Sequence, residues 1–220
     1  MNVFAKLISW AFIPLLAPIY ALLIVMYSPS LTKEFYQENS LFILPQEAKQ
    51  IILYLFGAFS FLAPALTILF LQTQGRLSSV MMEERKERFL PSVLVVIYAI
   101  SLFILLMMKV PGTLPGARFL YGLSLGSLLA VTLATFLTFR WKVSLHSTGM
   151  GILSAFLFCY NTQMLLFNIV PLITVFILSG LVMSARMYLK LHTLPQLLIG
   201  YLIGFISTSI GVFYFLFFWK

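Results

Sequence analysis

Apolar residues run along this chain in long blocks, and the polar ones gather in short stretches between them. The first block reaches from Val3 to Tyr27 and stops at Ser28-Pro29-Ser30. Others cover Ile51 to Leu71, Ser92 to Met108, Phe119 to Phe139 and Leu197 to Trp219. The stretch from Ser147 to Arg186 is long enough for two more, at ~20 residues per crossing. Its turn falls either at Tyr160-Asn161-Thr162-Gln163 or between Asn168 and Pro171. The pattern predicts an all-α fold, a polytopic membrane helical bundle of about six to seven transmembrane helices. Residues 1–220 form one integral domain on this reading, with no room for a soluble one.

Several details fit that prediction. The N-terminus carries Lys6 and then an apolar run, as a secretory signal would, but the run's length, Pro14 and Pro18 and the lack of a small-residue cleavage pattern make it a retained span. Neighbouring helices can re-satisfy the carbonyl that Pro64 frees inside the second block. Phe35, Tyr36 and Phe42 suit a connection lying along the membrane interface, and Trp219 and Lys220 an anchor at its edge. The Pro-Gly pairs in Lys109 to Gly116 predict a tight reversal. Gly122, Gly126 and Ser127 read as small residues for close helix packing.

Counting crossings places three polar segments at one membrane face. They are Arg76 to Pro91, Arg140 to His146 and Arg186 to His192, and errors in individual boundaries leave their parity intact.

Composition agrees with a membrane protein: 61% of residues are hydrophobic and 9% charged, with mean hydropathy +1.04. A soluble domain carries about a quarter charged residues. The net charge of +8 is spread thinly and gathers between apolar blocks, where anionic headgroups are met first, so membrane lipids and not nucleic acid are the expected partners. The single Cys159 lies inside an apolar block and excludes a disulfide framework. There is no aspartate, which leaves Glu83, Glu84 and Glu87 as the few acidic candidates for metal-dependent phosphoryl chemistry.

The shared face carries Arg85, Lys86 and Arg88, then Arg140 and Lys142, then Arg186 and Lys190. Guanidinium groups match phosphate oxygens with a fixed fork of donors. The only two histidines, His146 and His192, join them there. With a reference pKa of about 6.5, one imidazole suits a nucleophile and the other a proton donor. These residues point to phosphoryl transfer without a metal or other cofactor.

Arg186, five intervening residues, His192 and then Gln196 resemble the third signature of the type 2 phosphatidic acid phosphatase superfamily, Ser-Arg-x5-His-x3-Asp. Tyr188-Leu189, Pro195 and the apolar Leu197-Leu198-Ile199-Gly200 match its surroundings, and Ser144-Leu145-His146-Ser147 resembles the second signature, Pro-Ser-Gly-His. Val143, Leu145, Ala185 and Gln196 depart from the family's proline, glycine, serine and aspartate. The first signature, Lys-x6-Arg-Pro, is replaced by Arg85, Lys86 and Arg88 ahead of Pro91, without its spacing. The likeness covers about residues 76–204 and leaves the N-terminal spans, 1–75, outside it.

The resemblance implies a multi-pass lipid phosphatase of the cell membrane. Its substrate would be a phosphomonoester or diphosphate of a lipid: phosphatidate, phosphatidylglycerophosphate or an isoprenyl diphosphate. His192 would form a phosphohistidine, Arg186 and an arginine of the first segment would hold phosphate oxygens, and His146 would protonate the leaving alkoxide. Lys142 and Ser144, with backbone amides near Leu145, would complete the phosphate cradle. On a helix starting near Thr193, Gln196 reaches back to His192, where its amide oxygen can accept a hydrogen bond but brings no charge. In a serine-protease triad the loss of that charge costs up to ~10⁴ in rate. The alternative is an inactive relative that binds anionic lipids or scaffolds a membrane complex. The family's sites usually face the exterior, whereas the excess of Lys and Arg on this face points to the cytoplasm. Sidedness, the lipid and the oligomeric state are left open.

Overall fold

The computed structural model describes residues 2–32, 40–77, 87 and 89–219, with backbone only at 31 and 32. The first apolar block is a broken crossing: α1 (Asn2–Ala11), a 3-10 turn (Pro14–Leu16) and α2 (Ala17–Tyr27). Pro14 has no N–H and disfavours helical backbone at the residue before it. Ile13 is accordingly extended, with φ −59° and ψ 132°.

The second block contains α3 (Gln46–Phe56), a π-helical segment (Gly57–Leu62) and α4 (Ala63–Thr73). Pro64 cannot donate to the carbonyl four residues back, and the widened turn just ahead of it absorbs the mismatch within the helix itself. The remaining helices are α5 (Phe89–Lys109), α6 (Ala117–Thr138), α7 (Leu145–Gln163), α8 (Ile169–Tyr188) and α9 (Leu194–Phe217).

Six helical stretches among the described residues are long and apolar enough to cross a membrane: Asn2–Tyr27, Gln46–Thr73, α5, α6, α8 and α9. The chain is thus an all-α polytopic bundle. The helix outside that set is α7. It carries His146, Thr148, Ser154 and Asn161 among its apolar residues, and nearly all of it from Ser147 to Tyr160 is buried against other helices. Its 19 residues make about 28 Å of helix, the thickness of the hydrocarbon layer, but protein and not lipid surrounds it.

The α7–α8 reversal falls between the two stretches that the sequence offers: Tyr160 to Gln163 are still helical, Asn168 already caps α8, and residues 164–168 are extended. They include β2 (Met164–Phe167), which pairs antiparallel with β1 (Ser30–Thr32), Ser30 lying opposite Phe167. Buried Tyr160 ties this end together: its hydroxyl lies 3.0 Å from Ser30 Oγ and accepts the Leu41 N–H at 3.1 Å. The ends of α2 and α7 therefore share one face, and the start of α7 lies at the other.

Helices α6, α7 and α9 form the centre, and glycines let their backbones touch. A Cβ at Gly126 would sit 2.5 Å from Thr208 Cα, and one at Gly204 would collide with the Thr148 carbonyl oxygen. Gly122 meets Val212 in the same way. Close packing of small residues is how helices associate where the hydrophobic effect cannot drive them.

Candidate functional site

The geometry around Arg186 and His192 follows from how α8 stops. Lys190 adopts a left-handed conformation, φ 56°. The Leu191 N–H then donates to the Arg186 carbonyl at 3.1 Å and the Lys190 N–H to the Met187 carbonyl at 2.9 Å. This paired closure reverses the chain within a few residues. It brings Arg186, in the last turn of α8, and His192, ahead of α9, to one place; they are 5% and 6% exposed.

Thr193 caps α9, and Gln196 three residues on completes a capping box. The Gln196 Oε1 atom accepts the Thr193 N–H at 3.1 Å and also lies 3.3 Å from His192 Nδ1. The backbone N–H can only donate, so the amide must present its oxygen here, and His192 Nδ1 must then be the donor. A neutral His192 ring consequently carries its lone pair on Nε2.

His146 is placed by the start of α7. Ser144, fully buried, caps that helix: its Oγ accepts the Ser147 N–H at 3.4 Å, and its carbonyl accepts the Ser147 and Thr148 hydroxyls at 2.9 and 3.0 Å. The Ser144 N–H faces the Gln196 carbonyl at 3.4 Å. Gly200 allows the contact, since a Cβ there would lie 2.5 Å from Ser147 Oγ. The starts of α7 and α9 are thereby joined directly. His146 Nε2 donates to the Ser9 carbonyl of α1 at 3.2 Å.

A cavity of about 430 Å³ is lined by His146, Arg186 and His192. Its other walls are mostly apolar and come from α1, the 3-10 turn, the start of α2, the end of α3, the π segment, α4, α5, α6 and α7; Phe56, Phe59, Phe61, Val95 and Leu102 are among them. Hydroxyl groups interrupt this surface at Ser9, Ser92, Ser124, Ser127 and Thr148. π-helical turns frequently mark functional sites, and here one forms part of the wall.

The other expected site residues lie elsewhere. Ser144 and Gln196 stand behind the cavity and hold the two imidazoles' supporting turns. Lys142 is half-buried in the connection ahead of α7 and does not line the cavity. Arg85, Lys86 and Arg88, with Glu83 and Glu84, are outside the described residues. Glu87 is described, and no group of three or more His, Cys, Asp or Glu side chains among the described residues is placed to hold a metal.

Sequence reasoning missed Ser9 altogether and assigned Ser127 to packing, although both line the cavity. The signal for Ser9 was the Phe12-Ile13-Pro14 break, which uncovers the carbonyls at the end of α1. Ser127 lies on a helix of small residues and carried no distinguishing signal.

Chemically, the cavity offers a guanidinium, two imidazoles and an apolar space large enough for a small lipid-like ligand. Compared with known protein families, curated proteins and solved structures, the chain matches none of them.

Proposed function

We propose that this chain is a membrane lipid phosphatase. It hydrolyses a phosphomonoester or diphosphate of a lipid of the phosphatidate, phosphatidylglycerophosphate or isoprenyl type, through a phosphohistidine and without a metal. The observation that carries this reading is the shared lining: His146, Arg186 and His192 border one cavity whose remaining walls suit an acyl or isoprenyl tail. The cell membrane as its location, and the likeness to type 2 phosphatidic acid phosphatases, belong to the same proposal.

The hydrogen bonds support the following proposed steps. Gln196 holds the His192 Nδ1 proton, so the Nε2 lone pair attacks phosphorus. The bond from the terminal phosphorus to the ester or bridging oxygen breaks, releasing the lipid alcohol or the lipid monophosphate, and protonated His146 gives its proton to the departing oxygen. Water then attacks the phosphohistidine while His146 takes its proton, the N–P bond breaks, and inorganic phosphate leaves. Arg186 neutralises the oxygens that gain charge in both steps. Ser144 acts at one remove by fixing the first turn of α7; the family likeness would add Arg85, Lys86 and Arg88, which lie outside the described residues, and Lys142 as phosphate-binding groups.

A second reading rests on one observation, the neutral amide of Gln196 where a carboxylate would stabilise an imidazolium. It makes the chain a binder of anionic lipids without turnover. The deciding experiment uses purified protein in detergent with EDTA and the three lipid phosphates. Release of inorganic phosphate that disappears in His192→Ala supports the phosphatase. Folded protein that releases none from any substrate supports the binder.

A further inference from the structure

We infer that the carbonyl end of α1 is a positioning group of this site: Ser9 holds His146 in the tautomer opposite to that of His192. The use made of the tautomers rests on the phosphatase reading, but the assignment itself does not.

The argument begins at Pro14. An unbroken helix would give the Ser9 carbonyl the Ile13 N–H as its partner. Ile13 is extended ahead of Pro14, and the last helical bond in this region runs from the Phe12 N–H to the Ile8 carbonyl. The exposed end of α1 finds side-chain partners instead. The Ala11 carbonyl accepts the Tyr20 hydroxyl at 2.8 Å, and the Ser9 carbonyl accepts His146 Nε2 at 3.2 Å.

A backbone carbonyl only accepts, so the proton of a neutral His146 ring is on Nε2 and its lone pair on Nδ1. His192 is the reverse, because Nδ1 donates to Gln196. A helix C-terminus carries partial negative charge, which favours a cationic imidazole within its last turn. α1 therefore gives His146 a fixed ring and a fixed tautomer, as a carboxylate does in other histidine sites. The contact is well supported, since Ser9 is 2% exposed and Pro14 abuts Gly149 in the first turns of α7. The first span, which lies outside the residues of the family likeness, is on this reading part of the working site.

The chain has only two histidines, so ¹⁵N-histidine labelling resolves them, and His146→Asn assigns the pair. At a pH where both rings are neutral, the expected spectrum shows Nε2–H at His146 and Nδ1–H at His192. Pro14→Ala lets α1 continue and gives the Ser9 carbonyl a backbone donor. It should shift the His146 tautomer ratio at least threefold and lower kcat about tenfold with KM within about twofold. Tyr20→Phe, which loosens the same helix end without touching His146, should leave the ratio unchanged. An Nδ1–H tautomer at His146 in the unaltered protein overturns the inference, as does a Pro14→Ala protein with the ratio intact. The expected tautomers in a protein that releases no phosphate would remove the phosphatase reading and leave the positioning role standing.

Discussion

Replacing Gln196 tests its two structural duties. Its Oε1 completes the α9 cap through the Thr193 N–H at 3.1 Å and orients His192 through Nδ1 at 3.3 Å. Gln196→Ala removes both. Loss of the cap should cost about 1 kcal/mol of stability. The bond to His192 is long and neutral in the resting site, where it contributes about 1 kcal/mol. During attack on phosphorus the imidazole becomes cationic, and hydrogen bonds to charged groups reach about 1.5–3 kcal/mol. The difference, about 0.5–2 kcal/mol, predicts a fall in kcat of about 2–30-fold.

Gln196→Glu keeps the side-chain length and the capping oxygen while adding charge. Charge-assisted bonds are about twice as strong as neutral ones, so kcat should rise roughly tenfold, with the fold unchanged. The assay is inorganic phosphate release in detergent with EDTA, alongside thermal melting to separate the stability term. If Gln196→Ala and Gln196→Glu both match the parent in kcat while melting as folded proteins, Gln196 does not orient His192 in the reaction.

Other consequences follow from packing. Gly204→Ala drives a methyl group into the Thr148 carbonyl, where neither backbone has room to yield; overpacking costs of about 1–3 kcal/mol should lower the melting temperature by about 5–10 °C. Lys190→Gly relieves the left-handed strain at φ 56° and should raise stability by about 1 kcal/mol with activity retained, whereas Lys190→Val should lose both, as melting and phosphate release will report. Tyr160→Phe leaves the buried Leu41 N–H without its acceptor. It should cost about 1–3 kcal/mol in melting experiments but change phosphate release less than twofold, because the ring lies at the far face.

What the sequence made legible was local. Gln196 lies one turn beyond His192, so the contact between them could be placed from helical spacing alone. The parity of crossings likewise put His146 and Arg186 on one face, because it depends on counting blocks and not on their ends. The contact of Ser9 with His146 could not be seen this way, since 137 residues separate them and only the packing of α1 against the bundle joins them. α7 looked like one more apolar block, yet its hydroxyls and His146 suit a helix surrounded by protein. The strands at Ser30–Thr32 and Met164–Phe167 are each too short to leave a period and exist only because they pair with one another. Pro64 announced a distortion, but whether neighbours or a widened turn would absorb it depended on the surroundings.

The most direct test of a phosphohistidine at His192 is a rapid acid-free quench of the protein with a ³²P-labelled lipid phosphate, followed by mapping of the label to peptides. The expected result is an acid-labile, base-stable phosphate on the peptide containing His192, absent from His192→Ala. Phosphate release that proceeds without any such adduct, or with the label intact in His192→Ala, would contradict it.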